Sequence, residues 1–388
     1  MHILIAPDSF KESLSAAEVA RAIAEGLAYE LPHSIFDLVP IADGGEGTVD
    51  AIVNAASGEF VSCEITGPLG EKRIAKYGLI EEGSTAVIEM AEACGLQLVP
   101  KEHRDPLKTT SFGFGELTRD AIAKGVKHIV FGVGGSSTND GGLGMCQALG
   151  AKFFTIKEKQ INHPIAGADL NLITRVDFDE LKNTLQNVTF TAACDVNNPL
   201  LGANGATYVF GPQKGATEAS LKELERGLGN AFDVVEDELK KITRNVPGAG
   251  AAGGMGAALI GILDATLQSG VDVVAKLTQL GSRVSKADIV ITGEGCLDGQ
   301  SAHGKAPVGV AQIAKAARIP VIAIGGMIAE DAAVIYEHGI NAIESTVVRP
   351  CSGTDAMANA RTNLILASRR VGRWLKLADS LKLPTKAC

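Results

Sequence analysis

Short apolar runs recur along this chain at 2–6, 35–41, 128–133, 288–292, 320–325 and 342–348. Runs of this length, without strict polar alternation, suit strands covered on both faces, as in a parallel sheet. Amphipathic stretches lie between many of them. Ser15-Ala-Ala-Glu18 is a capping-box signal, and Val19, Ile23 and Leu27 then share one helical face. The longest stretch runs from Thr217 to Thr243, with Leu221, Leu224, Leu228 and Phe232 on its apolar side. Helical patterns also cover 110–124, 255–268, 305–317, 329–338 and 355–376. Strand–helix alternation near both ends predicts an α/β fold with parallel sheets. The middle is less regular, punctuated by Gly and Pro at 67–70, 164–167 and 199–205.

At 388 residues the chain exceeds one ordinary core, so two domains are expected. Hydrophobic residues make up 46% and aromatics only 4%, leaving aliphatic side chains to fill the interior. The 45 glycines cluster in short loops between apolar runs, an enzyme-like pattern rather than a linker. The formal charge of −9, without a basic run longer than two residues, excludes a nucleic-acid partner. Seven scattered cysteines with no C-x-x-C pair argue against a disulfide framework or zinc site. Neither a signal-peptide core nor a membrane-length apolar run is visible, so a cytoplasmic location without membrane contact is expected.

Four loops combine glycines with carboxylates, amides or a helical start: Ala42-Asp-Gly-Gly-Glu-Gly47, Gly134-Gly-Ser-Ser-Thr-Asn-Asp-Gly-Gly142, Gly248-Ala-Gly-Ala-Ala-Gly-Gly-Met-Gly256 and Gly293-Glu-Gly-Cys-Leu-Asp-Gly299. Glycine lets backbone approach a ligand closely, and anions bind at strand ends and helix starts of open α/β sheets. The acidic candidates are Asp8, Asp43, Glu46, Asp140, Asp195, Glu294 and Asp298; the lysines nearest such loops are Lys11, Lys214 and Lys305. Carboxylates for magnesium, one to orient a hydroxyl, and cations for a γ-phosphate are the requirements of phosphoryl transfer.

Other fingerprints fit less well. Gly248-x-Gly-x-x-Gly253 matches a dinucleotide pattern, yet Pro247 precedes it and no strand leads in. Gly299-Gln-Ser-Ala-His-Gly304-Lys305 approximates a P-loop until Ala306, which lacks the magnesium-binding hydroxyl. His103-Arg-Asp105 has no D-F-G partner, and Ser136 lacks the second glycine of a nucleophile elbow.

Taken in order, Ile5-Ala-Pro-Asp-Ser-Phe-Lys-Glu-Ser-Leu-Ser15, Ala42-Asp-Gly-Gly-Glu-Gly-Thr48, Thr66-Gly-Pro-Leu-Gly70, Arg104-Asp-Pro-Leu-Lys-Thr-Thr-Ser111, Gly134–Gly142, Ala193-Cys-Asp-Val-Asn-Asn-Pro199, Phe210-Gly-Pro-Gln-Lys-Gly215, Pro247–Gly256 and Thr292-Gly-Glu-Gly295 resemble the glycerate kinase family. Two positions depart from it: Ser137 stands where alanine is expected, and Cys296 where the family usually has arginine. The resemblance implies two α/β domains with the active site in the cleft between them. One, 1–57 plus 286–388, is Rossmann-like with a parallel sheet; the other is 58–285.

The resemblance also implies phosphorylation of D-glycerate by ATP with Mg²⁺, most often at the 2-hydroxyl; the 3-hydroxyl is the alternative. An NAD-dependent dehydrogenase or a sugar-acid-binding protein is a remoter reading. A homodimer is compatible with all of these. On this basis Asp8, Ser9, Gly135, Ser136, Asn139 and Asp140 are expected to bind substrate. Gly211, Gln213, Lys214, Gly253, Gly254, Gly256, Glu294, Asp298 and Lys305 are expected to hold the nucleotide. Asp43, Glu46 and Asp195 are the metal candidates. Asp195, Lys11 and Asp43 are the catalytic ones, with Asp195 as the orienting base.

Overall fold

Ile3, Leu4 and Ile5 are fully shielded from solvent, as an interior strand of a parallel sheet requires. The structure, a computed structural model, describes residues 1–381 except 43, 46 and 304. Its strands are β1 (His2–Ile5), β2 (Ile35–Leu38), β3 (Glu59–Thr66), β4 (Lys72–Ile80), β5 (Thr85–Glu89), β6 (His128–Gly132), β7 (Lys152–Phe154), β8 (Arg175–Asp177), β9 (Thr189–Ala193), β10 (Thr266–Gln268), β11 (Ile289–Leu297), β12 (Val321–Ile328) and β13 (Ala342–Ser345). Contacts gather the chain into two units. One comprises Met1–Asp43, Asp50–Ala55 and Val271–Cys388; the other comprises Gly44–Val49 and Ala56–Gly270.

The first unit holds a five-stranded sheet in the order β13-β12-β11-β1-β2, parallel throughout. The helix Ala16–Glu30 follows β1, and Ser15 and Glu18 close the expected capping box. Its Val19, Ile23 and Leu27 share a core with Leu364, Ala367 and Val371 of the helix Ala360–Ser380. The two helices approach so closely that a Cβ on Gly26 would strike the Ile365 carbonyl. The pattern at 329–338 forms a 3₁₀ segment, Ala332–His338, and that at 355–376 is divided into Gly353–Ala358 and Ala360–Ser380.

The second unit holds a mixed sheet, β10-β9-β6-β5-β4-β3. β10, β9, β6 and β5 are parallel, whereas β4 and β3 extend the sheet antiparallel. The helix Glu218–Leu239 is capped by Thr217, buries Leu224, Leu228 and Phe232, and ends where Lys240 turns left-handed. The helix expected over 255–268 stops earlier. Asp264 adopts φ 52°, and Leu267 pairs with Ala192 as part of β10. Among the described residues, no helix is long and apolar enough to cross a membrane.

Candidate active site

In the first unit the chain leaves β1 toward β2 on one side and leaves β11 toward β12 on the other. The carboxyl ends of β1 and β11 therefore flank a topological switch point, the usual ligand position in an open α/β sheet. Asp8 donates its N–H to the Gly293 carbonyl at 2.8 Å, and Thr292 Oγ1 donates to Ala6 O at 2.8 Å. These bonds bring Asp8, Ser9 and Lys11 alongside Glu294. Substrate and nucleotide candidates that are far apart in sequence thus share two neighbouring strand ends.

Glu294 is 8% exposed and accepts from Ser301 Oγ at 2.5 Å. Burial pushes its carboxyl up, against the opposing influence of Ser301, Lys305 and Lys11. Asp298 shifts down: its burial is outweighed by bonds from Lys305 at 3.1 Å and from the Ser301 N–H at 2.9 Å. The two carboxyls thus shift in opposite directions around the one ammonium of Lys305. Cys296 Sγ lies 3.9 Å from Asp298 Oδ2, so a thiol occupies the position where the resemblance leads one to expect arginine. Ser301, which organises both carboxylates, was not among the sequence candidates; its only signal is the three-residue spacing from Asp298.

The second unit gathers loops at the carboxyl ends of β5, β6 and β9. Glu89, ending β5, accepts from the Gly47 and Val49 N–H groups at 3.3 and 2.5 Å. Gly134 N–H reaches Gly44 O at 3.2 Å. The loop bearing Asp43 and Glu46 is tied down at these points; the two acidic residues themselves lie outside the described residues. Asp195 follows β9, is exposed, and accepts from the Gly270 N–H at 2.9 Å through Oδ1. In the 134–142 loop, Gly135 is exposed at φ 71°, Ser136 is 6% exposed, and Asn139 donates to Thr207 Oγ1 at 3.2 Å.

Three sets of expected contacts take different places. Asp140 is fully buried, accepting from the Ser111 N–H and Oγ at 2.7 Å and the Gly142 N–H at 3.1 Å. Burial pushes its carboxyl up against those donors, and it braces the loop rather than meeting substrate. Lys214 is 2% exposed, with its ammonium bonded to Ser136 Oγ at 2.9 Å and Thr138 O at 2.6 Å, so it faces protein and not a phosphate.

The nucleotide-loop glycines also meet protein. A Cβ on Gly253 would strike Thr138 O, and one on Gly256 would strike Gly248 O; at Gly254 it would lie 2.9 Å from Gly141 Cα, and at Gly211 it would strike Thr207 O. A Cβ on Gly250 would meet Pro199 O. The dinucleotide-like spacing therefore reflects backbone packed on backbone at Gly250 and Gly253, and backbone packed on the Leu267 side chain at Gly248. Gln213 is exposed on the adjoining turn.

Among the described residues, no three His, Cys, Asp or Glu side chains are grouped to cage a metal. Magnesium does not need such a cage, since it commonly takes one or two carboxylates and completes its shell with water and phosphate oxygens. Glu294 and Asp298 share the ammonium of Lys305.

The chain matches the model of the glycerate kinase family over residues 3–376. It is 47% identical over 377 residues to glycerate 2-kinase of Escherichia coli K12, covering 97% of this chain and 98% of that one. It is likewise 47% identical to glycerate kinase of Halalkalibacterium halodurans, over 95% and 97% of the two chains. A crystal structure from Salmonella typhimurium LT2, assigned as a glycerate kinase 2, superposes with a TM-score of 0.86 at 45% identity, covering 98% of this chain and 99% of its own. With matches of this extent on an α/β fold of this kind, the chain belongs to the glycerate kinase family.

Proposed function

We propose that this chain transfers the γ-phosphoryl group of ATP to D-glycerate, giving 2-phospho-D-glycerate and ADP. The observation that carries this reading is the switch-point grouping of Lys11, Glu294, Asp298 and Lys305, a placed set of cations and carboxylates at two parallel strand ends. The name of the Escherichia coli relative, glycerate 2-kinase, supports the 2-hydroxyl. A small-molecule substrate, a cytoplasmic setting and the domain division 1–57 with 286–388 against 58–285 belong to the same proposal.

In this reading Asp195 takes the proton of the glycerate hydroxyl as that oxygen bonds to the γ-phosphorus and the bond to the departing ADP oxygen breaks. With Asp195 as the base, Asp43 and Glu46 are the candidates for holding magnesium; Asp195 as a magnesium ligand is the alternative to its role as base. When bound, the metal supplies charge neutralisation on the phosphate oxygens. Lys305 and Lys11 are assigned to phosphate, and Asp8 and Ser9 to the acid beside them. Gly135, Ser136 and Asn139 are assigned to the acid in the second unit.

Coupling the product to enolase tests the regiochemistry, because enolase dehydrates 2-phosphoglycerate and leaves the 3-isomer untouched. Phosphoenolpyruvate should form from D-glycerate, ATP and magnesium with no mutase present. ADP release without phosphoenolpyruvate would move the reaction to the 3-hydroxyl, and no ADP release would remove kinase activity on glycerate. Lys305→Met should raise the KM for ATP about tenfold or more, the scale of one lost charge-assisted hydrogen bond. An unaltered ATP KM in steady-state assays would take Lys305 out of the nucleotide site.

A further inference from the structure

We infer that Lys214 is a positioning and specificity-determining residue: its buried ammonium makes the Ser136 hydroxyl an obligate outward donor and so tunes the Gly135–Ser136 turn for a carboxylate. An ammonium has three donors and no acceptor, so Ser136 Oγ accepts from Lys214 Nζ and its own proton must be given elsewhere. The second bond, to Thr138 O, fixes the other end of the same three-residue segment. Gly135, at φ 71°, leaves the turn exposed immediately before it.

Two further side chains of the loop, Thr138 and Asn139, add unused hydrogen-bonding capacity among the described residues. Thr138 Oγ1 and Asn139 Oδ1 are buried and have no hydrogen-bond partner among the described residues. Buried polar atoms are nearly always paired, so unpaired acceptors beside a directed donor suit a ligand that offers both a carboxylate and a hydroxyl. The titratable groups facing Lys214 are Asp140, on the same loop, and Cys94, at the end of the helix Met90–Cys94; Arg73 acts in turn on Cys94. Asp140 is held by Ser111 and Gly142, leaving the ammonium to Ser136 and Thr138. Burial lowers the pKa of Lys214 to about 8. A lysine depressed in this way destabilises the fold while charged, and that cost is relieved as the pH rises above 8. Acid binding should move in the opposite direction, weakening as the charge is lost.

The inference rests on reading the 134–142 loop as the acid-binding loop. Its test compares Lys214→Met and Ser136→Ala with the unaltered enzyme, measuring separate KM values for D-glycerate and ATP from pH 6.5 to 9.5 alongside thermal unfolding. Both variants should raise the glycerate KM about tenfold to a hundredfold while the ATP KM stays unchanged. In the unaltered enzyme the glycerate KM should climb above pH 8 without loss of thermal stability, and Ser136→Ala should flatten that limb. A Lys214→Met enzyme with a raised ATP KM and an intact glycerate KM would overturn the inference and make Lys214 a phosphate contact. Should Lys214→Met fail to fold, an intact glycerate KM in Ser136→Ala, or a pH-independent one in the unaltered enzyme, overturns it equally. Absence of glycerate turnover by the unaltered enzyme would instead defeat the proposed function.

Discussion

Asp195→Asn should lower kcat about 10²–10⁴-fold, the range expected for loss of general-base help, while the thermal midpoint stays put. The substitution preserves size and an acceptor oxygen, so the bond from the Gly270 N–H at 2.9 Å can persist. Asp195 is exposed at the end of β9 and no core packing depends on it. What changes is the ability to take a proton from the attacking hydroxyl. Single-turnover kinetics at saturating ATP would separate chemistry from product release. Near-normal turnover would remove Asp195 from the mechanism and leave Asp43 and Glu46 as the candidates.

The second large effect concerns Gly253. It adopts φ 73°, and a Cβ there would meet the Thr138 carbonyl oxygen. Left-handed strain on alanine and a backbone clash each cost about 1–3 kcal/mol, so Gly253→Ala should lose roughly 2–6 kcal/mol of stability. Because Thr138 and Asn139 must move to admit the methyl group, the glycerate KM should rise with it. Gly281→Ala is the matched control, since a Cβ there meets nothing within 4 Å. It sits in the short helix Leu280–Val284, where alanine should stabilise by up to about 1 kcal/mol. Differential scanning calorimetry of the two variants decides the matter. Equal midpoints would mean that the 248–256 loop does not pack on the 134–142 loop.

The sheet of the first unit was legible because its strands read as short continuous apolar runs, buried in β1 and most of β11 and only partly covered in the edge strands β2 and β13. β1, β2, β11, β12 and β13 all fall where those runs lie. In the second unit β3 and β4 were not. Lys72, Arg73 and Lys76 interrupt β4, and Ser62 and Glu64 interrupt β3, because each strand has an exposed face. Three-residue β10 has too few positions to show any period.

The site was legible in part. Glycine loops announced close approach of backbone, but a glycine spacing does not say whether a phosphate or another loop approaches. Lys214 sits between Pro212-Gln213 and Gly215, which reads as a surface turn, yet its ammonium is drawn inward by Ser136 and Thr138, far away in sequence. Ser111, Thr207 and Glu89 support the loops through hydrogen bonds and have no local signal at all, although Ser111 closes one of the segments that carry the family resemblance.

The placement of β1 has a consequence for biosynthesis. The strand needs β11 along one side, with Ile3, Leu4 and Ile5 opposite Ile289, Val290 and Ile291. Every strand of the second unit lies between them in the chain. At about 5–20 residues per second on a ribosome, some 285 residues keep β1 waiting for roughly 15–60 s. The nascent polypeptide therefore carries an apolar half-sheet while the intervening unit already has all its strands. A ribosome stalled before about residue 290 would release a chain that holds every strand of the second unit but lacks β11, β12 and β13 of the first.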